Sequence, residues 1–274
     1  MGDEGLVIVG VDATVAARHA AEWATDLASA WGALLHLVHA VPADAGDRSA
    51  AEPSWLSELR EAAGRCGVEE VDSRLVVSSI AEELVDRSRD ARLVVVGSYG
   101  EGSRSGMLAG SVALALVERA ACPVAVVRGY TPHLPPPRRG PVVVGTDAAP
   151  NDAALRLGAE LADALGARLS VLHARSDVVE DATGLHRAAE GGTESVARAL
   201  QGLDECLAPV RDAHPALPVD RDVVHDTALR ALLAKAPGAR MIVVGHRRGP
   251  APHGRLGSTS RGLVAFAPCP VVVT

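Results

Sequence analysis

Four short blocks of this sequence occur twice in the same order, and that duplication constrains the fold more than any other property. Val7–Ala13 (VIVGVDA) is matched by Val142–Ala148 (VVVGTDA), and Leu34–Ala40 (LLHLVHA) by Leu169–Ala174 (LSVLHA). Leu93–Gly97 (LVVVG) is matched by Ile242–Gly245 (IVVG), and Ala121–Val127 (ACPVAVV) by Pro268–Val273 (PCPVVV). Repetition on this scale makes the chain two copies of one supersecondary plan. Between the copies lies residues 131–140, TPHLPPPRRG, whose prolines favour a stiff spacer and exclude a central strand. The domains are therefore set at 1–130 and 141–274, with 131–140 as linker.

Within each copy, short Val-rich runs alternate with amphipathic stretches, the pattern of βαβ units. Strands are expected near 6–11, 33–40, 71–77, 92–97 and 123–128, and helices near 15–31, 54–65, 80–89 and 110–120. The second copy repeats this with strands near 141–146, 168–174, 219–224, 240–245 and 270–274. Its helices fall near 151–165, 193–213, 227–235 and 257–266. The fold class is α/β: two tandem doubly wound domains, each a mostly parallel five-stranded sheet with helices on both faces. Composition agrees, because 48% of the residues are hydrophobic while only 2% are aromatic, so the core must be Val, Leu, Ala and Ile. The fifth strands, 123–128 and 270–274, are edge candidates that could pair between domains or between chains, as a pseudo-dimer or a homodimer.

A net charge of −7 without a basic patch argues against nucleic acid as a partner. No apolar stretch reaches membrane-spanning length and the N-terminus carries no signal-like h-region, so a cytoplasmic protein is expected. The four cysteines, Cys66, Cys122, Cys206 and Cys269, are scattered and are read as buried free thiols. No histidine stands in metal-ligand spacing, so His36, His39 and His173 are read as core or strand-end residues and no metal site is assigned.

Chemistry concentrates at Gly97, Gly100, Gly110 and Ser111, spaced G-x2-G-x9-G-[ST] between a strand end and a helix start. Glycines allow close backbone approach, and helix N-terminal amides bind phosphate. Ser111 stands where an N-cap residue would, with the helix dipole behind it. The second copy has a shortened version: Gly245, His246, Arg247 and Arg248, then Gly257 and Ser258. Gly249, Gly254 and Arg255 could still shape an anion loop there, but Pro250 and Pro252 remove two amide donors. Asp12 and Asp147 follow the first strands and could cap the helices after them.

Taken together, Gly10-Val11-Asp12, the glycine spacing and Ala121–Val127 resemble the universal stress protein family, specifically its tandem two-domain members, over essentially the whole chain. That resemblance implies ATP binding in the first domain, in a cleft edged by Gly10, Val11 and Asp12 at the nucleoside end. It further implies adenine contacts from the Ala40 backbone, and ribose and phosphate contacts from the turn Gly97–Gly100. Phosphoryl contacts would come from the amides of Gly110, Ser111 and Val112 and from the Ser111 hydroxyl. A magnesium ion could bridge the phosphates to Asp12. In the second domain the corresponding positions are Asp147, Ala174, Gly245, Gly257 and Ser258. Departures from the family pattern are Glu101, offset by Arg104, and Ser78-Ser79-Ile80 before the third helix.

The implied role is regulatory, in a stress response through an unidentified partner protein, with nucleotide ordering the loop 98–110. Two other classes fit less of the sequence: a nucleotide-independent scaffold, and an ATP-hydrolysing or adenylyl-transferring enzyme. No P-loop and no nucleophile elbow is present, and the single lysine, Lys235, is far from either glycine loop. No catalytic residue is assigned, and at most slow hydrolysis is expected.

Overall fold

A computed structural model describes residues 5–41, 51–77, 79–100, 109–131, 134–149, 152–175, 178–181, 184–187, 193–245 and 256–274. In the first half, β1 (Leu6–Gly10), α1 (Val15–Trp31), β2 (Leu34–Ala40), α2 (Ser54–Arg65) and β3 (Val71–Val76) come first. They are followed by α3 (Ile80–Arg87), β4 (Leu93–Gly97), α4 (Ser111–Arg119) and β5 (Val124–Val127). The second half runs β6 (Val142–Gly145), α5 (Ala153–Ala164) and β7 (Leu169–Arg175), then β8 (Val178–Asp181) and β9 (Gly184–Arg187). It continues with α6 (Thr193–Ala213), β10 (Val219–His225), α7 (Ala228–Lys235), β11 (Met241–Val244), α8 (Ser258–Phe266) and β12 (Val271–Val273). The expected elements form within one or two residues of their expected bounds. The antiparallel pair β8–β9 is an addition that the repeat pattern does not contain.

Both halves share one ten-stranded sheet, ordered β10-β7-β6-β11-β12-β5-β4-β1-β2-β3. Every neighbouring pair in it is parallel except β5 with β12, which meet antiparallel with Val126 opposite Val271 and Val124 opposite Val273. Consequently the strands of one half run opposite to those of the other, and their carboxyl ends lie at opposite ends of the sheet.

Alternation along the strands builds two cores. Val7, Val9, Leu93, Val95, Ala125 and Val127 face one layer, covered by α1, α2, α5 and α6. Ile8, Val94, Val96, Val124 and Val126 face the other, covered by α3, α4, α7 and α8. Both layers are continuous across the β5–β12 joint. Small side chains let the helices lie close: α1 buries Ala16, Ala17, Ala20, Ala21, Ala24 and Ala28. That spacing accounts for a core made almost without aromatics.

The joint is also tied by side chains. Arg92 reaches Glu160 at 3.3 Å and Arg261 reaches Glu118 at 2.9 Å, while Arg138 of the linker meets Asp26 at 3.2 Å. Exposed pairs like these contribute roughly 0–1 kcal/mol each, so the continuous core is the main adhesive. Arg128, just past β5, donates from Nη1 to the carbonyls of Val264 and Ala265 at the end of α8, a favourable place for a cation.

Among the described residues no helix is long and apolar enough to cross a membrane. Cys269 alone is buried; Cys122 and Cys206 are partly exposed and Cys66 is exposed. The reading of four buried thiols is therefore corrected for Cys66, which follows α2 at the surface. Burial pushes the Cys269 thiol up to about 12 and the Cys122 thiol up to about 11.

Candidate functional site

Parallel strands end where their connections leave for opposite faces, and the crevice there is the usual ligand position in such sheets. In the first half β1, β2 and β4 end together, and α4 starts beside them. The resulting cavity, of about 280 Å³, is lined by all nine first-domain positions singled out in the sequence: Gly10, Val11, Asp12, Ala40, Gly97, Gly100, Gly110, Ser111 and Val112. Ala17, His39, Ile80, Val96, Tyr99 and Ala113 complete the lining.

One end of the cavity is the start of α4. Gly110 is the N-cap, in extended geometry at φ −61° and ψ 159°, and no side chain caps the helix. The first amide to bond back is that of Leu114, to the Gly110 carbonyl at 3.1 Å. Helical geometry thus leaves the amides of Ser111, Val112 and Ala113 without an intrahelical acceptor. Two expectations need correction. Ser111 is the first helical residue rather than the N-cap. The Gly110 amide is spent on the Ser98 carbonyl at 2.7 Å, so it cannot serve a phosphate.

At the other end, Asp12 folds the β1–α1 turn. Its Oδ1 accepts the Thr14 amide at 3.0 Å and the Thr14 hydroxyl, and Thr14 in turn caps α1 by accepting from the Ala17 amide at 3.2 Å. The cap is therefore Thr14, not Asp12, and Asp12 acts on the helix through it. The Val11 carbonyl sits 3.0 Å from His39 Nδ1. A carbonyl only accepts, so His39 Nδ1 carries a proton. Trp55 meets the His39 ring edge-on, with centroids 5.0 Å apart. His39 thus joins the loop bearing Asp12 to the strand end bearing Ala40. Gly100 lies so close to Asp12 that a Cβ there would come within 2.9 Å of Oδ2.

Tyr99, inside the glycine motif, was not singled out from sequence, although its place between Gly97 and Gly100 marks it. Burial raises the Tyr99 phenol above its ordinary value, Arg128 opposing and Asp12 reinforcing. The hydroxyl is neutral at pH 7.

The second half forms a corresponding cavity of about 820 Å³, lined among others by Asp147, Ala174, Gly245, Gly257 and Ser258. The histidine contact recurs: His173 Nδ1 lies 2.9 Å from the Thr146 carbonyl. The connection after β6 spans 146–152, longer than 11–14, with Ala148 at φ +56°. Asp152, rather than Asp147, caps α5, accepting from the Ala154 and Leu155 amides. Gly257 is the N-cap of α8, again with no side-chain cap. Among the described residues three carboxylates, Asp147, Asp152 and Asp226, line this cavity, against Asp12 in the first. Glu101, Arg104, Ser78, and residues 246–255 with His246, Arg247, Arg248, Gly249, Gly254 and Arg255 lie outside the described residues. Among the described residues no three His, Cys, Asp or Glu side chains converge as a metal site would require.

The sequence model of the universal stress protein family matches residues 6–128 and again 139–274. Universal stress protein Rv2005c of Mycobacterium tuberculosis is 34% identical over 289 residues, covering 97% of this chain and 96% of that protein. Universal stress protein Rv2623 of the same organism is 33% identical over 287 residues, covering 97% and 95%. The crystal structure of a universal stress protein from Archaeoglobus fulgidus shares the fold, with a TM-score of 0.63 at 16% identity, covering 99% of this chain and 98% of that one.

Proposed function

From the premise that the chain belongs to the universal stress protein family, we propose that its first half binds ATP or another adenine nucleotide and that occupancy serves a regulatory role in stress response. One observation carries the reading: α4 begins on a glycine, which has no side chain to cap its amides, at the rim of a cavity lined by Asp12 and the end of β2. The amides of Ser111 and Val112, with the Ser111 hydroxyl, receive phosphoryl oxygens. The turn Gly97–Gly100 passes the ribose, and the base lies toward Ala40 over the apolar floor of Ile80 and Val96. A hard cation travelling with the phosphates finds Asp12 as the one carboxylate among the described lining residues. What ATP supplies is a bound state distinct from the empty one, and that difference biases the surface offered to a partner. The second half, with its three lining carboxylates, acts chiefly as structural support.

Calorimetric titration of ATP with magnesium into the whole protein, beside Gly110→Asp, tests this. Asp fits there, because a Cβ at Gly110 meets nothing closer than 3.5 Å. Its carboxylate caps the α4 amides that phosphate needs, so affinity falls at least about tenfold while stability rises by a few tenths of a kcal/mol. One site per chain in the parent protein is expected. Heat unchanged by Gly110→Asp overturns the site, and no heat at all assigns the chain to the nucleotide-independent scaffold reading.

A further inference from the structure

Beside the β5–β12 joint lies a third, smaller cavity that belongs to both halves. It measures about 80 Å³ and is lined by His19, Ser98, Tyr99, Arg128, Tyr130 and Phe266 among others. That is well above the roughly 10–15 Å³ that admits a water and far below the roughly 300–1,000 Å³ of a drug-sized ligand. Its size suits an ion of a few heavy atoms. Tyr130 and Phe266, 69% and 63% exposed, stand at its rim.

Two of its lining residues carry polar groups that are not fully partnered. Ser98 is 2% exposed and its Oγ has no hydrogen-bond partner. The residue is pinned on both sides, its amide to the Val127 carbonyl at 3.0 Å and its carbonyl to the Gly110 amide at 2.7 Å. The backbone therefore cannot shift to find the hydroxyl a partner. Arg128 is the second group. Among the described residues only its Nη1 has acceptors, the α8 carbonyls, and no carboxylate pairs with it. The titratable groups beside it are Tyr99 and Cys269, both raised and so neutral near pH 7. Burial holds the His19 imidazole below its ordinary value, with Glu22 opposing and Arg18 adding. Arg128 is thus the formal charge among the lining residues near pH 7.

We propose that this junction cavity binds a small tetrahedral oxyanion of the phosphate class, held by the Arg128 guanidinium and the Ser98 hydroxyl. A guanidinium edge and a hydroxyl donor suit such an ion, and among the described residues no carboxylate lines the cavity to repel it. The α8 carbonyls nearby are already engaged by Arg128. The site is independent of the nucleotide reading: Tyr99 lines both cavities, but Ser98 and Arg128 line only this one and Ser111 only the other.

Inorganic phosphate titrated into the whole protein at constant ionic strength, with chloride as reference, tests the site by calorimetry and thermal unfolding. Phosphate raises the unfolding midpoint of the parent protein beyond chloride. The effect persists in Ser111→Glu, which places a carboxylate at the α4 amides and so closes the other phosphate position. Ser98→Ala weakens phosphate binding at least about fivefold, and Arg128→Gln abolishes it. In chloride alone Ser98→Ala is as stable as the parent or more so, because the oxygen it removes has no partner. Undiminished phosphate affinity in Ser98→Ala, or a phosphate effect no larger than chloride's, overturns the site. Loss of the effect in Ser111→Glu also overturns it, placing the ion at α4 instead.

Discussion

At position 97 the chain turns from β4 with the backbone of α1 directly overhead. A Cβ there would sit 2.9 Å from the Ala16 carbonyl carbon, and backbone cannot yield as a side-chain tip can. Gly97→Ala is therefore expected to cost about 1–3 kcal/mol in urea unfolding, the reverse in sign of Gly110→Asp, although both replace a glycine of one motif. Equal effects from the two would refute this division of labour. Spacing alone made the motif visible but not the separate tasks within it. Serine is a preferred N-cap, so propensity placed the cap at Ser111, whereas Gly110 takes the cap geometry and leaves the amides bare. The places of His39 and Tyr99, at a strand end and inside the motif, were legible but not what they do: their neighbours, Val11 and Arg128, are brought to them by the tertiary fold alone.

Among the elements, α1 and α5 show how the two copies have diverged. Each begins beside the end of a first strand, yet one is capped by Thr14 under Asp12 and the other directly by Asp152. Asp152 also accepts from the Thr146 hydroxyl. Asp152→Ala is expected to cost about 0.5–2 kcal/mol, read as a lower denaturant midpoint with an unchanged slope; no change in midpoint would show that the longer 146–152 connection supplies another cap. The strands and helices themselves were readable because Val-rich runs alternate with amphipathic ones so regularly. The β8–β9 pair was not, since each strand has four residues and no alternation or turn signature sets it apart from a loop. The Asp147 cap reading failed because the repeat aligned it with Asp12, while the extra residues after β6 brought a second aspartate closer to the helix.

For the molecule as a whole, the sequence made the duplication plain and left the join between the copies open, because strand edges carry no label for their partners. In the folded chain Val124–Val127 are fully covered, with β12 on one side. A fragment of residues 1–130 would bare that apolar edge, and such edges recruit other strands. It is expected to sediment as a dimer or larger species, with Val126→Lys suppressing the association; a monomeric parent fragment would show that the edge protects itself. The antiparallel meeting of β5 and β12 has one more consequence. The two carboxyl-end clefts open toward opposite ends of one sheet, and among the described residues one is lined by one acidic side chain and the other by three. A chain built this way has a head and a tail: whatever docks at the α4 cleft of the first half stands at the opposite end of the sheet from whatever docks at the corresponding cleft of the second.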